Sequence, residues 1–182
     1  NVKTTQLSRM LGPTVIEDQA LIGRDLFMAD GASIGVIMKA KNTFLLRTSL
    51  MGDRTKLASQ DRSVRLSEVK IANRSVSFLN SSDNRVRSYF AEDGDYILVT
   101  NSEAIVRRFF EVADSGHSLA ATESFRLARQ LMPTERQDTI FAYFSPEMLQ
   151  GLVDPNYLIE LRRRLHAKAD IALVNLARLA AN

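Results

Sequence analysis

Residues 64–100, VRLSEVKIANRSVSFLNSSDNRVRSYFAEDGDYILVT, carry the pattern on which the fold turns. Four segments within it, 64–72, 75–80, 85–91 and 95–100, alternate apolar with polar side chains. They are parted by Asn73-Arg74, Ser81-Ser82-Asp83-Asn84 and Asp93-Gly94. Period-two alternation interrupted by Asn, Asp and Gly marks antiparallel strands joined by hairpins, so the stretch predicts a four-stranded meander. Val76 and Phe78 share one face against Ser75 and Ser77, while Val86, Ser88 and Phe90 lie opposite Arg85, Arg87 and Tyr89. In the first segment the apolar phase changes near Glu68, from Val64 and Leu66 to Val69 and Ile71, which predicts a bulge there. Tyr96-Ile97-Leu98-Val99 is apolar on both faces and predicts a central strand covered on both sides.

Beyond Thr100 the apolar period becomes helical. Ile105, Phe109, Val112 and Ala113 form a stripe that Asn101 or Ser102 can cap and Gly116 can end, with Glu103 and Arg107 spaced i,i+4 on the outer face. A shorter helix follows, capped by Thr122 and stopped by Pro133, and then a buried strand over 139–144. Ser145-Pro146-Glu147 and Asp154-Pro155 each read as a helix start, a capping side chain followed by proline. The last helix, 155–180, has an apolar seam of Leu158, Leu161, Leu165, Ala169, Ala172, Leu176 and Leu179, spaced by 3, 4, 4, 3, 4 and 3 residues. That is the spacing of a coiled-coil seam, to be satisfied either by the domain's own sheet or by a partner.

Upstream the signals are weaker. Residues 1–13, with a Gly12-Pro13 break, read as a lead-in; Val15 to Phe27 are loosely apolar, and Asp30-Gly31 reads as a turn. Residues 33–39 predict a buried strand, and Asn42 offers a cap for a helix over 43–51, against a hairpin at Lys41-Asn42. The expected fold is a single α+β domain over 1–182. It has an antiparallel sheet built on the meander, strands near 33–39 and 139–144, and helices of 102–114, 122–131 and 155–180 packed on one face. The chain opens at Asn1, and a helix running almost to Asn182 predicts that it is a fragment of a longer polypeptide.

Composition narrows the chemistry. The 182 residues contain no cysteine and two histidines, so a thiol nucleophile, a thiolate metal cluster and an all-histidine metal site are excluded. None of the glycine-rich phosphate loops, the H-E-x-x-H zinc motif or the G-x-S-x-G nucleophile elbow is present, and no cofactor is implied. Twenty-four basic residues against 21 acidic ones give a net charge of +3, too slight for a nucleic-acid footprint by itself. No run is apolar over the roughly 18 residues needed to span a bilayer, so no transmembrane segment is expected.

The remaining candidates for chemistry are few. His117, in Ser115-Gly116-His117-Ser118, lies in a loop, and His166 follows Arg162-Arg163-Arg164 on a helix surface. Glu92, Asp93 and Asp95 cluster at a spacing that can bind calcium, against which Asp93-Gly94 is by itself a sufficient hairpin turn, and Glu17-Asp18 reads as a solvated pair without a partner. Arg85, Arg87 and Tyr89 project from one strand face, an arrangement able to take an anion or a single strand of nucleic acid.

Between residues 94 and 147 the order of elements resembles a family of bacterial exported proteins of unknown function. The resemblance is carried by Gly94-Asp95-Tyr96-Ile97-Leu98-Val99-Thr100-Asn101-Ser102-Glu103, a helix ending at Gly116, Ser118-Leu119-Ala120 ahead of Phe125, and residues 140–144 followed by Ser145-Pro146-Glu147. It implies an exported, modular α+β protein and transfers no catalytic or binding residue. The expected function is a non-enzymatic binding or assembly domain whose partner is protein, either further sequence of the same polypeptide or a second copy. The alternatives are a carboxylate- and arginine-based enzyme fragment and a nucleic-acid-binding module.

Overall fold

The computed structural model describes residues 14–24, 33–133, 140–146, 148–149 and 155–181. The expected lead-in over 1–13, the Asp30-Gly31 turn and the Asp154 cap lie outside the described residues. The chain divides into two compact units, one reaching to Ser118 and one starting at Leu119.

The first unit is a six-stranded antiparallel sheet. Its strands are β1 (Ile16–Gly23), β2 (Ile34–Ala40), β3 (Val64–Ile71), β4 (Arg74–Ser81), β5 (Arg87–Asp93) and β6 (Tyr96–Thr100), with α1 (Thr43–Gln60) between β2 and β3 and α2 (Glu103–Ser115) after β6. The spatial order is β1-β2-β6-β5-β4-β3. Helix α1 carries the chain from β2 to the far edge, and the meander then walks back strand by strand until β6 pairs with β2. The central strand is therefore the one with apolar side chains on both faces, and Ile97 and Leu98 are fully buried.

Because Ile97 and Leu98 point to opposite faces, both faces need cover. On one, Leu98 joins Ile71, Val76, Tyr89 and Ala91 beneath Ile105, Val106 and Phe110 of α2. On the other, Ile97 joins Met38, Ala40 and Phe90 beneath Leu46 of α1. The sheet thus has a helix on each face, where the sequence pattern suggested helices on one. The same two-sidedness explains the phase change in β3. The β3–β4 register runs unbroken from Val64 opposite Ser81 to Ile71 opposite Arg74, so the bulge expected at Glu68 is absent. Instead, Val64 and Leu66 share the face that α1 covers, and Val69 and Ile71 share the face that α2 covers. The register shift in the sheet lies in β1, between Ile16 and Asp18.

Local chemistry sets the element ends. Asn42 Oδ1 accepts from the Leu45 amide at 3.0 Å and starts α1, and Ser102 Oγ accepts from the Ile105 amide to start α2. Gly116, with φ of 71°, ends α2 in the left-handed conformation that glycine adopts without a Cβ clash. Ala72 and Asn73 have φ of 50° and 63°, as a two-residue turn between twisted strands requires, so the turn sits one residue earlier than Asn73-Arg74. Helix α2 is rotated slightly from the expected stripe: Ile105, Val106 and Phe110 are buried, with Phe109 packed at the edge and Ala113 exposed.

Helix α1 runs nine residues past the expected end at residue 51. Its inward stripe continues Leu46, Leu50, Arg54, with an arginine in the third place. Arg54 is 7% exposed. Its Nη1 donates to Ser88 Oγ at 2.8 Å, and its Nη2 donates to the carbonyls of Ser88 at 2.9 Å and Ser77 at 3.1 Å. The guanidinium also lies over the Phe90 ring, 5.9 Å from its centroid. Among the described residues no carboxylate pairs with it. Desolvation pulls its pKa down to about 10, which leaves it charged at neutral pH.

The second unit holds a 3-10 turn (Leu119–Ala121), α3 (Glu123–Leu131) and α4 (Pro155–Ala180). The strand expected at 139–144 is absent: residues 140–145 form neither strand nor helix. Their alternation serves a different purpose. Phe141 and Tyr143 pack edge-on against Phe125 of α3, at 6.1 and 5.1 Å between centroids, and the Tyr143 hydroxyl donates to Ser124 Oγ at 2.8 Å. Period two here places alternate side chains on a helix, and among the described residues no ladder partner stands beside the backbone.

Replacing Arg54 by Ala removes a buried charge from its carbonyl and hydroxyl partners and leaves a void. It should cost about 3 kcal/mol. Arg47→Ala breaks an exposed ion pair with Glu92 and should cost at most about 1 kcal/mol. Urea unfolding midpoints of the two variants check this, and equal losses would contradict the account of Arg54.

Candidate interaction surfaces

The residues Arg85, Arg87 and Tyr89 do not end up on one open face. Tyr89 lies in the core, 5% exposed, with its ring stacked on Phe78 at 4.5 Å and 20°. A ring held this way has no free face for a base. Arg87 is exposed at the start of β5, its guanidinium 5.8 Å from the Tyr89 ring centroid. Arg85 precedes the strand and is ion-paired to Asp83 within the turn. Ser75 and Ser77 share the face opposite Tyr89: Ser75 Oγ donates to Glu68 at 2.9 Å, and the Ser77 carbonyl accepts from Arg54.

The carboxylates diverge as well. Glu92 pairs with Arg47 at 3.2 Å on the α1 face. Asp93, next along the strand, pairs with Arg74 at 2.9 Å on the opposite face, where Arg74 also pairs with Asp114 and lies over the Phe110 ring. Asp95 accepts from the Thr43 hydroxyl. Glu92 and Asp95 thus reach α1 at Arg47 and Thr43, while Asp93 reaches Arg74 of β4 on the opposite face, so the three do not converge. Among the described residues no group of three or more His, Asp or Glu side chains is placed to hold a metal ion. Both histidines are exposed. Glu17 has a partner after all, Lys39 across the β1–β2 ladder at 2.8 Å. The hydrogen bond and charge of Glu17 raise the Lys39 pKa.

Among the described residues, helix α4 carries more exposed large apolar side chains than any other element. In its seam Leu161 is half-buried and the other six positions are exposed, from 46% at Leu158 to 75% at Leu179. Off the seam, Ile171, Leu173 and Val174 are exposed too. They belong to the run 171–177, which contains no charged residue and is apolar around most of the helix. That run was visible in the sequence; what the seam alone did not convey is how far the apolar surface extends beyond it. Among the described residues from Leu119 onward, none is buried. The charges of α4 gather between Glu160 and Asp170, with Arg178 beyond, and Glu160 holds Arg163 at 2.9 Å and Arg164 at 3.0 Å. These two arginines keep the Glu160 carboxyl below its usual range. No helix among the described residues is long and apolar enough to cross a membrane.

Compared with family models, curated proteins and solved structures, the chain matches none.

The turn that carries Arg85 gives a pH test. Asp83 accepts from the Ser81 hydroxyl at 2.6 Å and the Arg85 amide at 3.2 Å and pairs with the Arg85 side chain. These contacts, the Ser81 bond foremost, push its pKa down to about 2. The folded value lies below the unfolded one of about 3.9. The contribution to stability is therefore complete above that value and is lost as pH falls through about 2. A carbon-13 titration of the Asp83 carboxyl should give a midpoint near 2, and Ser81→Ala should move it toward the ordinary carboxylate range. An ordinary midpoint in the parent protein would contradict the turn geometry.

Proposed function

We propose that this chain is a non-enzymatic binding or assembly module of a larger exported bacterial protein, and that α4 is its contacting element. The observation that carries this is the exposure of the α4 seam in a unit whose described residues include none that is buried. Apolar surface gains about 25 cal/mol for each Å² removed from water. A helix that is apolar around most of its circumference is the kind that lies buried in its working state. The sheet unit, with its own core on both faces, supplies the scaffold. The protein class of the partner follows from the same surface, since an apolar seam at coiled-coil spacing matches another helix and offers little to a phosphate backbone. Export is proposed from the family resemblance, with which the absence of cysteine is compatible.

Hydrogen exchange on the whole chain at submicromolar concentration tests the assignment. The amides of α4 should exchange at least roughly a hundredfold faster than those of β5 and β6, as few buried contacts hold them. Protection of α4 equal to that of β6 in a dilute monomer would overturn the contact role.

A further inference from the structure

We propose that the α4 seam is occupied by a second copy of the same helix, running antiparallel, with the two-fold axis between Lys168 and Ala169. The proposal rests on the contact role of α4 and adds the identity and direction of its partner. An isologous interface must be complementary to itself, and the order of seam side chains meets that condition in one direction only. Antiparallel, residues whose numbers sum to 337 lie at the same height: Leu158 meets the partner's Leu179, Leu161 meets the partner's Leu176, and Leu165 meets the partner's Ala172. Every outer layer then holds at least one leucine. Only the central layer is small, and Ala169 there lets the axes approach to about 8 Å.

A parallel pair would set Ala169 on Ala169 and Ala172 on Ala172. Two successive layers of methyl against methyl would stand between leucine layers that hold the helices apart, and the resulting voids forfeit contacts. Charge adds to the preference. Flanks exchange in a parallel pair, which brings Arg162 beside the partner's Arg164. In the antiparallel pair like flanks meet, so Arg162 lies beside the partner's Leu173, and Arg164 beside the partner's Ile171. The aliphatic stems of the arginines can then cover the off-seam apolar residues of the second half while their charged ends reach water. The arginines 162–164 of each helix thus lie over the uncharged run 171–177 of the other. The one like-charge approach, Lys168 to its own copy, falls at the open rim, where long stems diverge into solvent.

The absence of cysteine makes the test clean, because any introduced thiol is the sole one. Ala169→Cys alone should form a disulfide-linked dimer on mild oxidation. Leu158→Cys and Leu179→Cys, separated by about 31 Å along the helix, should stay unlinked when each is oxidised alone and should form a mixed dimer when combined. Leu161→Cys with Leu176→Cys should repeat that result, which guards against loss of one seam leucine. Efficient self-linking of Leu158→Cys and Leu179→Cys would overturn the antiparallel direction. Absence of any linked dimer, with α4 amides still exchanging rapidly in dilute protein, would overturn the second-copy proposal and leave the contact role standing. Protection of α4 in a dilute monomer would overturn both.

Discussion

A strand with apolar side chains at consecutive positions must be covered on both faces, and the first unit is organised around that requirement. Ile97 and Leu98 are adjacent, point in opposite directions and are both fully buried. Burying them requires an apolar layer above and below β6. The chain supplies these with one helix before the meander and one after it, so α1 and α2 approach the sheet from opposite sides. Features that look irregular alone follow from the same demand. The apolar phase of β3 switches midway because its two halves serve different layers. Tyr89, Phe90 and Ala91 are all buried because β5 lies beside β6 in the doubly covered region. Gly35 opposite Thr100 belongs to this tight region too: a Cβ there would meet Thr100 Cβ at 3.1 Å and Leu98 Cδ1 at 3.3 Å.

The two layers differ in character. The α2 layer is apolar, with Phe110 and Val106 in one cluster with Leu98 and Val76, and charged neighbours sit at its rim, Arg74 with Asp93 and Asp114 and Arg87 over the Tyr89 ring. The α1 layer carries a guanidinium in its interior. Burying a cation is costly unless its donors are satisfied; Arg54 directs both terminal nitrogens at oxygens of Ser77 and Ser88 on adjacent strands, while its buried Nε has no partner among the described residues. Those serines occupy inward positions on β4 and β5, where apolar residues would keep the carbonyl acceptors of Nη2 and remove the Ser88 hydroxyl that takes Nη1. Direction is gained as well as satisfaction: a fork reaching two strands fixes the helix along the sheet more narrowly than another leucine would.

What could be read from the sequence was local. The hairpins of the meander, the Asn42 and Ser102 caps and the Gly116 stop all depend on residues within a few positions of one another; the caps and the stop are where their chemistry puts them, and the turns at Ala72-Asn73 and Gly94-Asp95 lie one residue from Asn73-Arg74 and Asp93-Gly94. What covers a face is a question about distant residues. Alternation at Arg87 and Tyr89 shows that their side chains share a face, and nothing nearby tells that α2 and Phe78 close over the ring. Arg54 was legible in principle, as a basic residue in step with Leu46 and Leu50, but its serine partners lie 23 and 34 residues away. At residues 140–144 the period was real and its cause was not a sheet. An extended segment can alternate against a helix as well as within a ladder, and only the presence of a neighbouring strand distinguishes the two.

The second unit completes the contrast. In the first, side chains at adjacent positions find cover from elements far away in sequence, and the apolar content is spent on two closed layers. From Leu119 on, the ordered contacts among the described residues are short in range: Phe125 with Phe141 and Tyr143, Glu160 with Arg163 and Arg164. Such contacts hold a helix or a turn and cannot enclose a core. Yet α4 carries as regular an apolar seam as any element in the chain, spaced for a straight partner of its own length. Regularity of that kind over 26 residues is not needed by a helix whose outer side merely faces water, and charged residues would serve there better. The seam has the form of one half of a layer, and the proposed contact role rests on that form, in the unit whose described residues are the least enclosed.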